Sequence, residues 1–167
     1  LWIIHLSPVA ILVNLLTKVL VSDFTGAKMS QTVADLMTSD PFAVSAENTL
    51  HDAHNLMKEK NIRHIPVIDN NGELVGMLTQ KIMIAQVMNI MANYSPSALE
   101  RKEKQTKIHT IMATDFATVL ATQPLQDVAR FFVDNRHGCM PVITEKNKLV
   151  GILTSSDFVR LAAALLS

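Results

Sequence analysis

Residues 64–79 read HIPVIDNNGELVGMLT, and residues 139–154 read CMPVITEKNKLVGILT. Pro66-Val67-Ile68 recurs as Pro141-Val142-Ile143, Leu74-Val75-Gly76 as Leu149-Val150-Gly151, and Leu78-Thr79 as Leu153-Thr154, each 75 positions on. Outward from there, Met37 matches Met112, Asp40 matches Asp115 and Val44 matches Val119. Leu50 matches Leu125 and Asp52 matches Asp127, and no gap is needed anywhere in the run. A constant offset over that length means two copies of one supersecondary unit.

Each copy reads as β-α-β-β-α. Phe42 to Ser45 predicts a short strand after the Asp40-Pro41 turn signal. Thr49-Leu50-His51-Asp52 has capping-box spacing, and Leu50, Ala53, Leu56 and Met57 give the apolar face of a helix. His64 to Asp69 and Glu73 to Thr79 are apolar, partly β-branched runs joined by Asn70-Asn71-Gly72, which is hairpin chemistry. Helical spacing resumes from Gln80 to about Asn93. The second copy predicts a strand at Ala117 to Leu120, a helix from Pro124, strands at Met140 to Thr144 and Leu149 to Thr154, and a helix from Ser155. The expected division is 1–29 as an apolar N-terminal helix and connector, 30–93 as repeat 1, 94–107 as a linker and 108–167 as repeat 2.

Composition narrows the function classes. The chain has 167 residues, 49% of them hydrophobic and 18% charged, which is globular composition with enough length for a sizeable core. Fifteen basic residues balance fifteen acidic ones, so no global field draws the protein to nucleic acid or anionic lipid. The run Arg101-Lys102-Glu103-Lys104-Gln105-Thr106-Lys107 interleaves Glu and lacks aromatics, and reads as a solvated linker. The single cysteine, Cys139, excludes an internal disulfide and a Cys-rich zinc site, and its apolar setting predicts a buried, inert thiol. His51 and His54 are three apart on the predicted helix and are read as exposed or partly packed rather than as metal ligands. No nucleophile elbow, P-loop or GxGxxG is present, so an enzyme is not expected. Met83, Met88 and Met91 follow helical spacing and are assigned to core or dimer contacts.

The first 21 residues, LWIIHLSPVAILVNLLTKVLV, are the most apolar part of the chain. Ser7-Pro8 predicts a helix start, and a helix from Pro8 to Val21 is about 21 Å long, short for a membrane span. A contact helix on this protein or its dimer mate is expected, with the end of a membrane segment as the alternative.

These residues resemble a tandem pair of CBS domains, a Bateman module. The resemblance is carried by MTSDPFAVSAENTLHDAHNLMKEKNIRHIPVIDNNGELVGMLT and IMATDFATVLATQPLQDVARFFVDNRHGCMPVITEKNKLVGILTSSDF, and spans about residues 30–165. It implies an α/β (α+β) fold of two packed β-α-β-β-α repeats in a pseudo-twofold pair, and a homodimer. It implies a regulatory ligand containing adenosine (AMP, ADP, ATP or S-adenosylmethionine), no required cofactor, and control of a partner protein from the cytoplasm.

Two readings of Thr154-Ser155-Ser156-Asp157 stand side by side. Spacing alone makes it a capping box that needs no ligand. The resemblance makes Thr154, Ser156 and Asp157 ligand contacts, with the carboxylate accepting from a ribose cis-diol. Ile82 stands where Asp157 stands in the other copy, so one nucleotide site is expected rather than two. The resemblance further implies a base against Phe42, Ala43, Ile62 and Pro66, near Thr38, and phosphates met by Arg63, His64 and Lys81. The plain alternatives are an exposed, charged strand edge for Arg63 and His64, and a solvated helix residue for Lys81. Two rival functions are carried forward: a ligand-free dimerisation scaffold, and the cytosolic tail of a membrane transporter or channel attached through residues 1–21.

Overall fold

The computed structural model describes residues 31–135 and 138–166. The apolar segment 1–21, with both its contact-helix and membrane readings, lies outside the described residues. Among those described, no helix is long and apolar enough to cross a membrane.

The chain forms two compact units. Of the described residues, one takes those up to Ser39, those within Thr118–Val142 and those from Val150, and the other takes Asp40–Ala117 and Ile143–Leu149. The second of these is built on a three-stranded sheet, β2 (Val44–Ser45), β3 (His64–Ile68) and β4 (Leu74–Thr79), in the order β2-β3-β4. β2 runs parallel to β3, because helix α1 (Leu50–Lys60) carries the chain between them. β3 and β4 form an antiparallel hairpin that sets His64 opposite Thr79. Its turn closes because Asp69 Oδ1 accepts from the backbone N–H groups of Asn71 and Glu73, both at 2.8 Å, and because Gly72 adopts a positive φ of 75°.

Helix α1 starts as its sequence predicts. Asp52 Oδ2 accepts from the backbone N–H and the hydroxyl of Thr49, both at 2.8 Å, closing the capping box. Asn61, left-handed at φ 52°, ends it. Leu50, Ala53 and Met57 on its inner face join Ile65, Val67 and Leu78 in the core. Helix α2 (Gln80–Asn93) follows β4 directly and adds Met83 and Ile90 to that core. Met88 and Met91 of the same helix are exposed, together with Ile84.

The expected linker is more structured than its charge suggests. Residues Leu99–Gln105 form helix α3, and Glu103 within it is buried. Arg101, Lys104, Gln105 and Lys107 are exposed as the solvated reading expects, and the correction is confined to Glu103: His54 Nδ1 lies 3.0 Å from one carboxylate oxygen, and His51 Nδ1 lies 3.6 Å from the other. Partners across from α1 therefore compensate the burial of this charge. No set of three metal-ligating groups stands close enough to hold an ion among the described residues.

The remaining unit holds the four-stranded sheet β1-β7-β6-β5, made from β1 (Thr38–Ser39), β5 (Val119–Leu120), β6 (Cys139–Ile143) and β7 (Leu149–Thr154). Helices α4 (Leu125–Asn135) and α5 (Ser155–Leu165) cover it. Leu125, Val128 and Phe132 are the buried face of α4, and the Phe132 ring meets Phe158 of α5 edge-on at 5.3 Å between centroids.

Each repeat gives its leading segment to the unit built mainly from the other repeat. Thr38 pairs with Ile152 and Ser39 with Gly151. At the equivalent place, 75 positions on, Ala113 bridges Met77. The fit is close at both: a Cβ on Gly151 would lie 2.5 Å from Met37 Sδ, and one on Gly76 would lie 2.8 Å from Met112 Cγ. Glycine recurs at this position of both copies because a strap crosses the sheet there.

Candidate functional site

The predicted site residues divide between the two units, and each set is described within its own. Thr38, Thr154, Ser156 and Asp157 belong to the unit with the four-stranded sheet. Thr154 is the last residue of β7 and the N-cap of α5, where an extended backbone meets the first helical turn. The capping box is formed: Asp157 Oδ2 accepts from the Thr154 backbone N–H at 2.6 Å and from its hydroxyl at 2.8 Å. The other oxygen, Oδ1, accepts from Nη2 of Arg160, one turn further along α5. Asp157 is buried, whereas Ser156 and Thr38 are exposed, Thr38 on the strand beside β7. Close by, burial pushes the Cys139 thiol up to about 12, and the charge of Asp157 pushes in the same direction. Cys139, expected to be buried, is partly exposed, while a thiol held at that value stays protonated at neutral pH, which keeps the inert half of the reading.

Phe42, Ala43, Ile62, Arg63, His64, Pro66 and Lys81 belong to the other unit. The β3–β4 register explains how the basic residues gather. His64 opposes Thr79, and the Gln80 N–H donates to the Arg63 carbonyl at 2.8 Å, so Lys81 follows at the same end of the sheet. Arg63 and Lys81 are exposed and His64 is partly buried. Phe42 is exposed with Lys60 Nζ 5.1 Å above its ring, Ala43 and Ile62 are partly buried, and Pro66 is fully buried in β3. Thr79 caps α2 by accepting from the Ile82 N–H at 3.2 Å, and Ile82 supplies no carboxylate there. The two strand-to-helix junctions thus share a threonine cap and differ in their acid.

Burial, with the Arg63 charge adding to it, holds His64 below its ordinary value of 6.5. A histidine depressed in the fold contributes stability that is present above pH 6.5 and lost as pH falls through the lower folded value. Urea midpoints taken from pH 7.5 down to 5 are expected to fall, and His64→Gln is expected to flatten the fall. An unchanged slope in the variant would assign the acid sensitivity elsewhere.

One contact of a candidate site residue escaped the sequence reading. Arg160 follows Asp157 by three positions, a spacing that places both on one helix face. The spacing was present in the sequence, though it does not by itself fix the contact.

The sequence profile of the CBS domain matches residues 33–89 and again 108–164. A homoserine O-acetyltransferase of Methanococcoides burtonii is 31% identical over 129 residues, which are 77% of this chain and 24% of that protein. The chain therefore spans about a quarter of that relative's length. The solved structure of CBSX2 in complex with AMP superposes with a TM-score of 0.68 at 29% identity, covering 81% of this chain and 98% of that one. The CBS domain pair of protein MJ0100, solved with 5′-methylthioadenosine and S-adenosyl-L-methionine, gives a TM-score of 0.64 at 25% identity over 80% and 97%.

Proposed function

The chain belongs to the CBS domain family as a tandem pair, and from that premise we propose that it is a regulatory module whose ligand is an adenosine nucleotide. The observation that carries this reading is the junction of β7 and α5, where the Thr154 hydroxyl and the buried Asp157 carboxylate meet at a helix N-terminus. A carboxylate accepts from both hydroxyls of a ribose diol, and the helix end favours an anion. Ser156 and Thr38 stand exposed in the same unit as further polar contacts. Within the other unit, Arg63 and Lys81 with His64 beside them offer charge suited to a phosphate, and Phe42, Ala43 and Ile62 offer apolar surface suited to a base. Pro66, expected against the base, is fully buried and offers it none. The ligands of CBSX2 and of the MJ0100 pair support the class, adenosine with a varied 5′ substituent. Acetyl transfer is not carried over, because the alignment covers only 24% of that relative.

In this reading the ligand biases a conformational equilibrium that a partner protein reads, a coupling of about 1–3 kcal/mol in typical cases. The module acts in the cytoplasm as a homodimer, for which the exposed Ile84, Met88 and Met91 of α2 offer an apolar stripe at helical spacing. That stripe also favours the second reading, a ligand-free dimerisation scaffold.

Thermal melts with AMP, ADP, ATP and S-adenosylmethionine separate the two. At a hundred times Kd, a ligand adds about 2.7 kcal/mol, which raises Tm by about 5–10 °C for a chain of this size. Asp157→Asn is expected to weaken that ligand about 10- to 100-fold and so to remove about half of the shift or more at the same ligand concentration, since it removes a charged acceptor. A series with no shift, or with shifts that survive Asp157→Asn, would overturn the sensor and leave the scaffold.

A further inference from the structure

Asp157 has its carboxylate almost fully committed. Oδ2 holds the two Thr154 donors, at 2.6 and 2.8 Å, and these make the cap on which α5 depends. Only Oδ1 remains for anything else, and Arg160 occupies it. The Asp157 side chain is 3% exposed while that of Arg160 is 69% exposed, so the guanidinium meets the buried anion and otherwise stands in water. The geometry points to Arg160 as a positioning residue, a latch that competes with the ligand's ribose for Oδ1 and sets how tightly a vicinal diol is held. This inference rests on the reading of Asp157 as the ribose acceptor.

The exchange is chemically reasonable in both directions. A buried carboxylate that loses one donor is stable only if another replaces it. A ribose hydroxyl supplies such a replacement, and an exposed guanidinium is rehydrated at little cost as it leaves. The apparent affinity of the diol is then reduced by the fraction of molecules whose latch is open. Nothing comparable restrains the cap of α2, where Ile82 replaces the acid.

Calorimetric titration of the full chain with adenosine, a neutral nucleoside, tests the latch. Arg160→Gln is expected to bind adenosine about fivefold more tightly than the wild type, the upper range for releasing an ion pair whose cation stands in water. Affinity for 2′,3′-dideoxyadenosine is expected to be unchanged, since it lacks the hydroxyls that would take Oδ1. Added salt weakens the Arg160 pair, so wild-type affinity for adenosine is expected to rise with ionic strength and that of Arg160→Gln to stay level. The salt series on the wild type stands even if the variant folds poorly. Equal or weaker adenosine binding in Arg160→Gln, or a gain shared by the dideoxy compound, would overturn the latch while Asp157-dependent binding persisted. Absence of adenosine binding in both proteins would overturn the latch together with the ribose reading.

Discussion

Phe132→Ala is expected to cost about 3–5 kcal/mol, the range for deleting a large aromatic side chain from a core that relaxes only in part. Phe132 is 1% exposed and sits on α4 in register with Leu125 and Val128, the two other buried residues of that face. Its ring meets Phe158 at an interplanar angle of 63°, an edge-on pair that adds to the area it buries. Phe158 directly follows Asp157 on α5, so the cavity would open beside the first turn that holds the candidate carboxylate. Urea unfolding should show a lower midpoint at unchanged slope, and Phe132→Leu should recover more than half of the loss. A cost below about 1 kcal/mol would mean that the two helices collapse onto the gap.

Valine at either strap-crossing glycine is the second large effect, about 1–3 kcal/mol for overpacking. At Gly76 the obstruction has a soft part and a hard part. The Met112 side chain can turn aside, but the Ala113 carbonyl, 3.2 Å from the site of a new Cβ, is fixed. Met77 and Ala113 exchange both backbone hydrogen bonds at 2.9 Å, so moving that carbonyl detaches the strap from β4. Gly151 repeats the arrangement with Met37 and the Thr38 carbonyl. Combining Gly76→Ala with Met112→Ala isolates the soft part, and a double-mutant cycle should show the two substitutions favouring each other by about 0.5 kcal/mol or more. Independent effects would place the crowding in the backbone alone.

Much of this architecture is written locally, and the parts that are not share a cause. The constant offset, the Thr49-x-x-Asp52 box and the Asn70-Asn71-Gly72 turn are short-range signals, and each element they announced is present within a residue or two. The strands expected at Phe42 and Ala117 begin two residues later, at Val44 and Val119, because pairing rather than propensity sets where a short strand starts. β1 left no mark: it is two residues long, exposed on both faces, and pairs with Ile152 and Gly151 far along the chain. Helix α3 is charged nearly all round, and the burial of Glu103 depends on His51 and His54 of a different helix. Of the candidate site, the asymmetry between Asp157 and Ile82 was legible, since it is a matter of residue identity. The occupation of Oδ1 by Arg160 was not, because spacing puts two side chains on one face without saying that they meet.

The straps also bear on how such a gene can be cut and inherited. The chain passes between its units at Ser39–Asp40, Ala117–Thr118, Val142–Ile143 and Leu149–Val150. A single copy excised from the sequence would carry its own lead-in segment and lack the one its sheet uses. Recombination therefore profits from moving both copies together, and a lone half would expose the backbone edge of β4 or β7 to its neighbours in the cell.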